Sequence, residues 1–160
     1  PDWIEIYNSG ENIIDLSGMY LTNDLNHVKG WKIPKNTTIQ AGEYLVIWAD
    51  KNLGDHGLHA NFALFANEGT IALYENDGET LVDCVNYEKQ LRDVSYGRIP
   101  NGDSQWQYLT IPTPGAANQP NPKSNTTSSV YTITAIIVII IIIAIAFLII
   151  NKRAKRRTNF

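Results

Sequence analysis

Five carboxylates crowd the first 24 residues (Asp2, Glu5, Glu11, Asp15 and Asp24), with Trp3, Tyr7 and Tyr20 among them. Acids beside aromatics suit sugar cleavage, which needs two carboxyl groups about 5 to 9 Å apart across the substrate. They suit a metal site as well. Asp2 and Glu5, however, have opposite parity on a strand, and Asp15 and Asp24 fall in turns. Nothing in the spacing drives two of them together. The expected roles are structural, with Asp15 capping a turn and Glu5 on a solvated strand face.

A second cluster lies in DKNLGDHGLHANF, which begins at Asp50. Asp50, Asn52 and Asp55 offer hard oxygen ligands and form a calcium candidate. The loop lacks the glycine at position six and the glutamate at position twelve of an EF-hand. His56-x-x-His59 has zinc-ligand spacing, but no third strong ligand follows at motif distance. Asp and Gly are also what loops favour, so no metal is assigned and no cofactor is expected.

Trp3, Tyr7, Trp31, Trp106 and Tyr108 could form a platform for stacking a ligand such as a sugar, with Trp3 and Tyr7 its best members. Tryptophans in β-sandwiches more often plug the core. Nucleophilic catalysis has no support: there is no G-x-S-x-G, and Cys84 in TLVDCVNY lies mid-strand, where a small buried thiol is expected. No glycine-rich phosphate loop opens a helix. Asn36-Thr37-Thr38 and Asn125-Thr126-Thr127 are glycosylation sequons, the second in a Thr/Ser-rich stretch.

The elements that must hold these residues are strands. WIEIYN, GMYLTN, GWKIP, EYLVIWA, NFALF, TIALYE, TLVDCVNY, VSYGRI and QWQYLT alternate or are rich in β-branched and aromatic residues. Gly, Asn and Asp punctuate them, and no window of helical length before residue 130 shows an apolar stripe. Short strands at this spacing predict a β-sandwich or barrel. NDGE predicts a hairpin, with Asp77-Gly78 in a type I′ turn. In EYLVIWA apolar residues occupy both faces, as in a central strand.

The C-terminal part belongs to a different setting. YTITAIIVIIIIIAIAFLII, Tyr131 to Ile150, is uncharged, and twenty residues at about 1.5 Å each match the roughly 30 Å hydrocarbon core of a bilayer. A transmembrane helix is expected over 130–150, contacting the lipid bilayer through residues 131–150. Lys152, Arg153, Lys155, Arg156 and Arg157 follow it with no acid among them, which places 151–160 in the cytoplasm by the positive-inside rule. All 16 acids precede Lys123 against eight Lys and Arg, so the front part is near −8 and the tail near +5, recovering the net −3. A domain so acidic is a poor partner for phosphate backbones, and no nucleic acid is expected. The lone Cys84 excludes an intrachain disulfide. Prolines at 112, 114, 120 and 122 and a Ser/Thr/Asn tract predict a stalk over 119–129. The remaining 1–118 suffice for one domain. The chain starts at Pro1 without a signal peptide, so it is expected to be a piece of a longer protein.

DWIEIYNSGENIIDLSGMYLTND, GWKIP, IQAGEYLVIWADKN, LHANFALFANEGTIALYENDGETLVDCV, DVSYGRIPNG and QWQYLTIPTPGAAN together resemble the lamin tail domain, in the version found in bacterial and archaeal extracytoplasmic proteins. The resemblance implies an immunoglobulin-like β-sandwich. Family members usually begin with a further INE-type strand upstream, which is absent here and would leave a sheet edge exposed. On this reading Ile4 and Ile6 point into the sandwich, Trp3, Glu5 and Tyr7 point out, Leu16 inserts and Gly18 bends the chain. The expected function is a non-catalytic, membrane-anchored module at the cell surface that binds, adheres or presents another domain. The alternative is the anchoring region of a larger surface enzyme whose catalytic domain lies upstream.

Overall fold

A computed structural model describes residues 1–123 of the 160. Within them, Pro1–Asn121 form one compact unit, built from strands with no helix. The expected transmembrane span and basic tail lie outside the described residues, as does most of the stalk. Among the described residues no helix is long and apolar enough to cross a membrane.

The first strand, β1 (Trp3–Tyr7), pairs antiparallel with β6 (Tyr44–Trp48). The register sets Ile4 opposite Ile47 and Ile6 opposite Leu45, and all four pack into the core. Between these strands the chain makes a long antiparallel ribbon. Here β2 (Ile14–Asp15) pairs with β5 (Thr38–Ile39), and β3 (Tyr20–Thr22) pairs with β4 (Trp31–Lys32). Backbone bonds from Leu16 to Thr37, Gly18 to Ile33 and Ile33 to Met19 join the two ladders. Gly18 takes a positive φ of 86°, the bend read from the sequence, and Leu16 is buried beside it.

The larger sheet runs β4-β3-β7-β8, where β7 is Gly69–Tyr74 and β8 is Leu81–Tyr87. A last hairpin, β9 (Ser95–Arg98) with β10 (Trp106–Leu109), closes the unit. Leu16, Leu21, Trp31, Ile33, Ile39, Ile47 and Leu73 fill the space between the strand layers. This all-β arrangement is consistent with the immunoglobulin-like sandwich.

Several expectations change. The β7–β8 hairpin forms, but its turn is not type I′, because Asp77 keeps a negative φ and only Gly78 (φ 69°) is left-handed. Tyr74 pairs with Leu81 past a bulge, so the loop is too long for a two-residue turn. Gly78 N–H donates to the Glu75 carbonyl at 2.9 Å, and Asp77 Oδ1 accepts the N–H groups of Glu79 and Thr80. Those donors, with the Thr80 hydroxyl, hold the Asp77 carboxyl down at about 2. Next, β6 is not a central strand. It has only β1 in its ladder, and its other edge meets Leu58–Ala60 at one end, where Trp48 N–H donates to the Leu58 carbonyl. Finally, Cys84 is half-buried and not sealed in the core, because it lies on β8 at the edge of its sheet.

Gly69 has a packing reason. Its strand partner Tyr87 lays its ring across the position, and a Cβ there would sit 2.3 Å from the phenol oxygen. That ring is buried and its oxygen accepts the Phe65 N–H, so it has little room to yield. Gly69→Ala is therefore expected to destabilise the domain by about 1–3 kcal/mol in chemical denaturation. In a Tyr87→Ala background the same change should cost close to nothing. An equal cost in both backgrounds would show that the ring is not the obstacle.

Candidate functional site

The opening carboxylates do not converge. Asp15 Oδ1 accepts the Ser17 N–H at 2.9 Å, the expected turn cap, and the Ser17 side chain first, with this backbone bond second, lowers its pKa. Asp24 accepts from the Asn26 backbone and pairs with His27 Nδ1 at 2.8 Å, His27 being the first cause of its lowered pKa. Glu5 is the correction. It is half-buried and accepts the Gly115 N–H, so it does not lie on a solvated face. Burial raises its pKa, and the Gly115 bond partly offsets this.

What covers Glu5 is the TPGAAN segment. Asn118 locks that segment down: its backbone N–H donates to Asn101 Oδ1, its Nδ2 donates to the Arg98 carbonyl, and its Oδ1 accepts the Thr113 hydroxyl. Three residues on, the Asn121 amide bonds to the Tyr108 carbonyl at 2.7 Å and accepts from Thr110, within the stretch read as stalk. Gly102 approaches Tyr7 from the same side.

Trp3 and Tyr7, the stacking candidates, share a face of β1–β6 with Tyr44, Val46 and Trp48. Tyr7 stacks on Tyr44 with centroids 4.9 Å apart, and Trp3 stands opposite Trp48. All of these residues are half-buried, so the face is an aromatic seam that is already partly occupied. Trp31, also read as a platform member, is buried in the core.

In the Asp50 loop the candidate ligands bind one another. Asp50 Oδ1 accepts the Asn52 N–H at 3.0 Å and His59 Nδ1 at 2.9 Å. The Asn52 amide donates to Asp55. His59 Nε2 reaches the His56 carbonyl, so the two histidines meet through backbone and not as a ligand pair. Among the described residues no group of three or more His, Cys, Asp or Glu side chains is gathered for a metal. The arrangement ties Asp50, after β6, to the Trp48–His59 bridge, and His59 is nearly covered.

The sequon at Asn36 is exposed, on a turn with φ 64°. The sequon at Asn125 lies outside the described residues.

A third place gathers the platform candidate Tyr108 with residues that the sequence does not link to it. A groove of about 670 Å³ opens where β9–β10 meets the end of β7–β8, lined by Glu68, Asn86, Tyr87, Glu88, Tyr96 and Tyr108. Tyr108 and Tyr96 are strand partners with rings 5.1 Å apart, and Trp106 stacks on Tyr96 at 5.5 Å. The alternation in VSYGRI and QWQYLT was the available signal. The meeting of that hairpin with Glu68 and Glu88 depends on tertiary packing and has no sequence signature.

The unit is all-β, Asp15, Asp24, Asp50 and Asp77 accept from nearby turn and loop donors, and burial with the nearby Asp83 raises the Cys84 pKa. The lamin tail domain family model matches residues 1–89, more than half of the chain, and the chain belongs to that family. The family is a non-catalytic, immunoglobulin-like module. No curated protein and no solved structure matches the chain. The Tyr96 and Tyr108 side of the groove lies beyond the matched residues.

The Asp50–His59 pair sets a pH dependence. The His59 pKa is raised, first by Asp50, so the stability gained from its protonated form is complete below about 6.5 and is lost as pH rises through the raised value. The Asp50 pKa is lowered, first by His59, so its share is present above about 3.9 and is lost as pH falls through the lowered value. Thermal unfolding should therefore give a Tm plateau between about pH 4 and 6.5 that His59→Gln flattens on the alkaline side. A His59→Gln profile parallel to that of the parent protein would rule the pair out as its source.

Proposed function

We propose that this chain is a membrane-anchored, extracytoplasmic lamin-tail module that binds or presents a partner and carries out no chemistry of its own. The observation that carries the binding part is the open aromatic groove on a family scaffold whose Asp15, Asp24, Asp50 and Asp77 are engaged in turns and loop contacts. The anchoring part rests on the twenty-residue uncharged run Tyr131–Ile150 and the five cations behind it. In this arrangement the acidic sandwich stands outside the membrane, the segment to about residue 129 spaces it from the lipid, and the basic tail meets anionic headgroups. The Asn36 sequon, exposed on the sandwich, and the Asn125 sequon, in the spacer, then both face outward.

The lone cysteine makes the topology testable. On a Cys84→Ser background, Ser104→Cys should react with a membrane-impermeant maleimide on intact cells. Thr158→Cys should react only after permeabilisation. Labelling of Thr158→Cys on intact cells, or protection of Ser104→Cys, would overturn the orientation.

A further inference from the structure

The groove has a charge pattern that its own strands do not satisfy. Gly69 pairs with Tyr87, and further along Gln90 N–H donates to the Ala66 carbonyl at 2.8 Å in the same register. Continuing that register sets Glu68 opposite Glu88, just beyond the ends of β7 and β8. Like charges directly opposite destabilise a strand pair. Both side chains are exposed, line the groove, and have no hydrogen-bonding or ionic partner among the described residues. No Lys or Arg lines the groove to compensate them.

The other end of the same hairpin shows how such a surface holds a cation. Arg98, on β9, places its guanidinium 4.7 Å over the Trp106 ring and donates to Asp83 Oδ1 of β8 at 2.8 Å. An aromatic ring from the hairpin and a carboxylate from β8 hold one guanidinium between them. The groove repeats that chemistry with Tyr96 and Tyr108 from the hairpin and Glu88 beyond the end of β8, but among the described residues none supplies the cation. Tyrosine faces and carboxylates both attract an ammonium or guanidinium group, and a neutral sugar would leave the Glu68–Glu88 repulsion in place. The acidic front part of the chain adds a long-range field of the same sign.

We infer that the groove between β7–β8 and β9–β10 binds a lysine or arginine side chain of a basic partner polypeptide, with Glu68 and Glu88 neutralising the charge and Tyr96 and Tyr108 receiving its apolar stem and cationic head. The inference rests on the binding-module reading but not on membrane anchoring, and purified protein tests it apart from topology. Asn86, bonded to Thr70 at 2.7 Å on the groove wall, leaves an amide available to the partner's backbone.

The test is an amide-shift titration of the full 160-residue chain in mild detergent with blocked arginine, blocked lysine, blocked citrulline, spermidine and a neutral oligosaccharide. Blocked arginine or lysine should shift Gly69, Asn86, Tyr87 and Tyr96 with a dissociation constant on the order of 1 mM. The shifts should weaken as salt rises from about 0.02 to 0.3 M. Glu68→Gln/Glu88→Gln should weaken binding by about 3- to 10-fold while raising the ligand-free Tm by about 1–4 °C at low salt. Citrulline binding as well as arginine, an oligosaccharide shifting these amides in place of arginine, or an unchanged affinity in the double variant would each overturn the inference. Spermidine binding more tightly than either blocked amino acid would overturn the polypeptide source. The citrulline comparison needs no variant, so the outcome does not hang on the folding of one.

Discussion

The register between β1 and β6 is the constraint on which the rest of the domain depends. Setting Ile4 against Ile47 and Ile6 against Leu45 buries Ile47 fully, worth roughly 1.5–3 kcal/mol, and the other three in part, worth less. Strand alternation then forces Trp3, Glu5, Tyr7, Tyr44, Val46 and Trp48 onto the other face. A one-residue slip would exchange the two sets and put the isoleucines outside. The aromatic face needs cover, and the segments around Gly102 and Gly115 bring backbone against Tyr7 and Glu5. Asn8, at the end of β1, ties the pair to the ribbon by donating to the carbonyls of Asn12 and Ile39.

Period-two alternation and turn chemistry made much of this legible. Ile4, Ile6, Leu16 and Gly18 sit where their spacing in DWIEIYN and DLSG put them, because each obeys a local rule. Three of the differences share one cause. Glu5, Cys84 and the outer face of β6 were judged from their own strands, yet their burial is decided by segments distant in sequence. The Asp77 turn failed differently. Asp-Gly favours two left-handed residues in a two-residue loop, but a six-residue loop lets the carboxylate collect donors from Glu79 and Thr80. The groove was the least legible feature, since it joins residues near 68, 87, 96 and 108 through two separate registers.

Polar side chains in this domain largely do the work of backbone. Asn8, Thr22 and Thr37 are buried and bonded to main-chain groups, as Asn118 is from the half-buried class. Loops make up much of a small sandwich, and each turn leaves carbonyl and amide groups that a buried wall must satisfy. This explains why an Asp- and Asn-rich sequence needs no catalytic account. Asp15, Asp24, Asp50 and Asp77 all spend their oxygens on nearby donors, and their lowered pKa values follow from those bonds.

Glu68 and Glu88 stand apart from those aspartates and line the groove. A carboxylate engaged in a turn gains from its charge, whereas Glu68 and Glu88 face each other with no donor among the described residues. Their repulsion at an exposed strand end is small, because water screens it, so the fold tolerates the pair easily. Tolerance alone does not account for three tyrosines converging on the same place. Tyr87 is fixed there by Gly69 and the Phe65 amide, and Tyr108 by its bond to the Lys89 carbonyl. The aromatic part of the groove is thus rigid and the acidic part is uncompensated. Rigid aromatic walls cost little entropy when a ligand arrives, and uncompensated charge gives that ligand its sign.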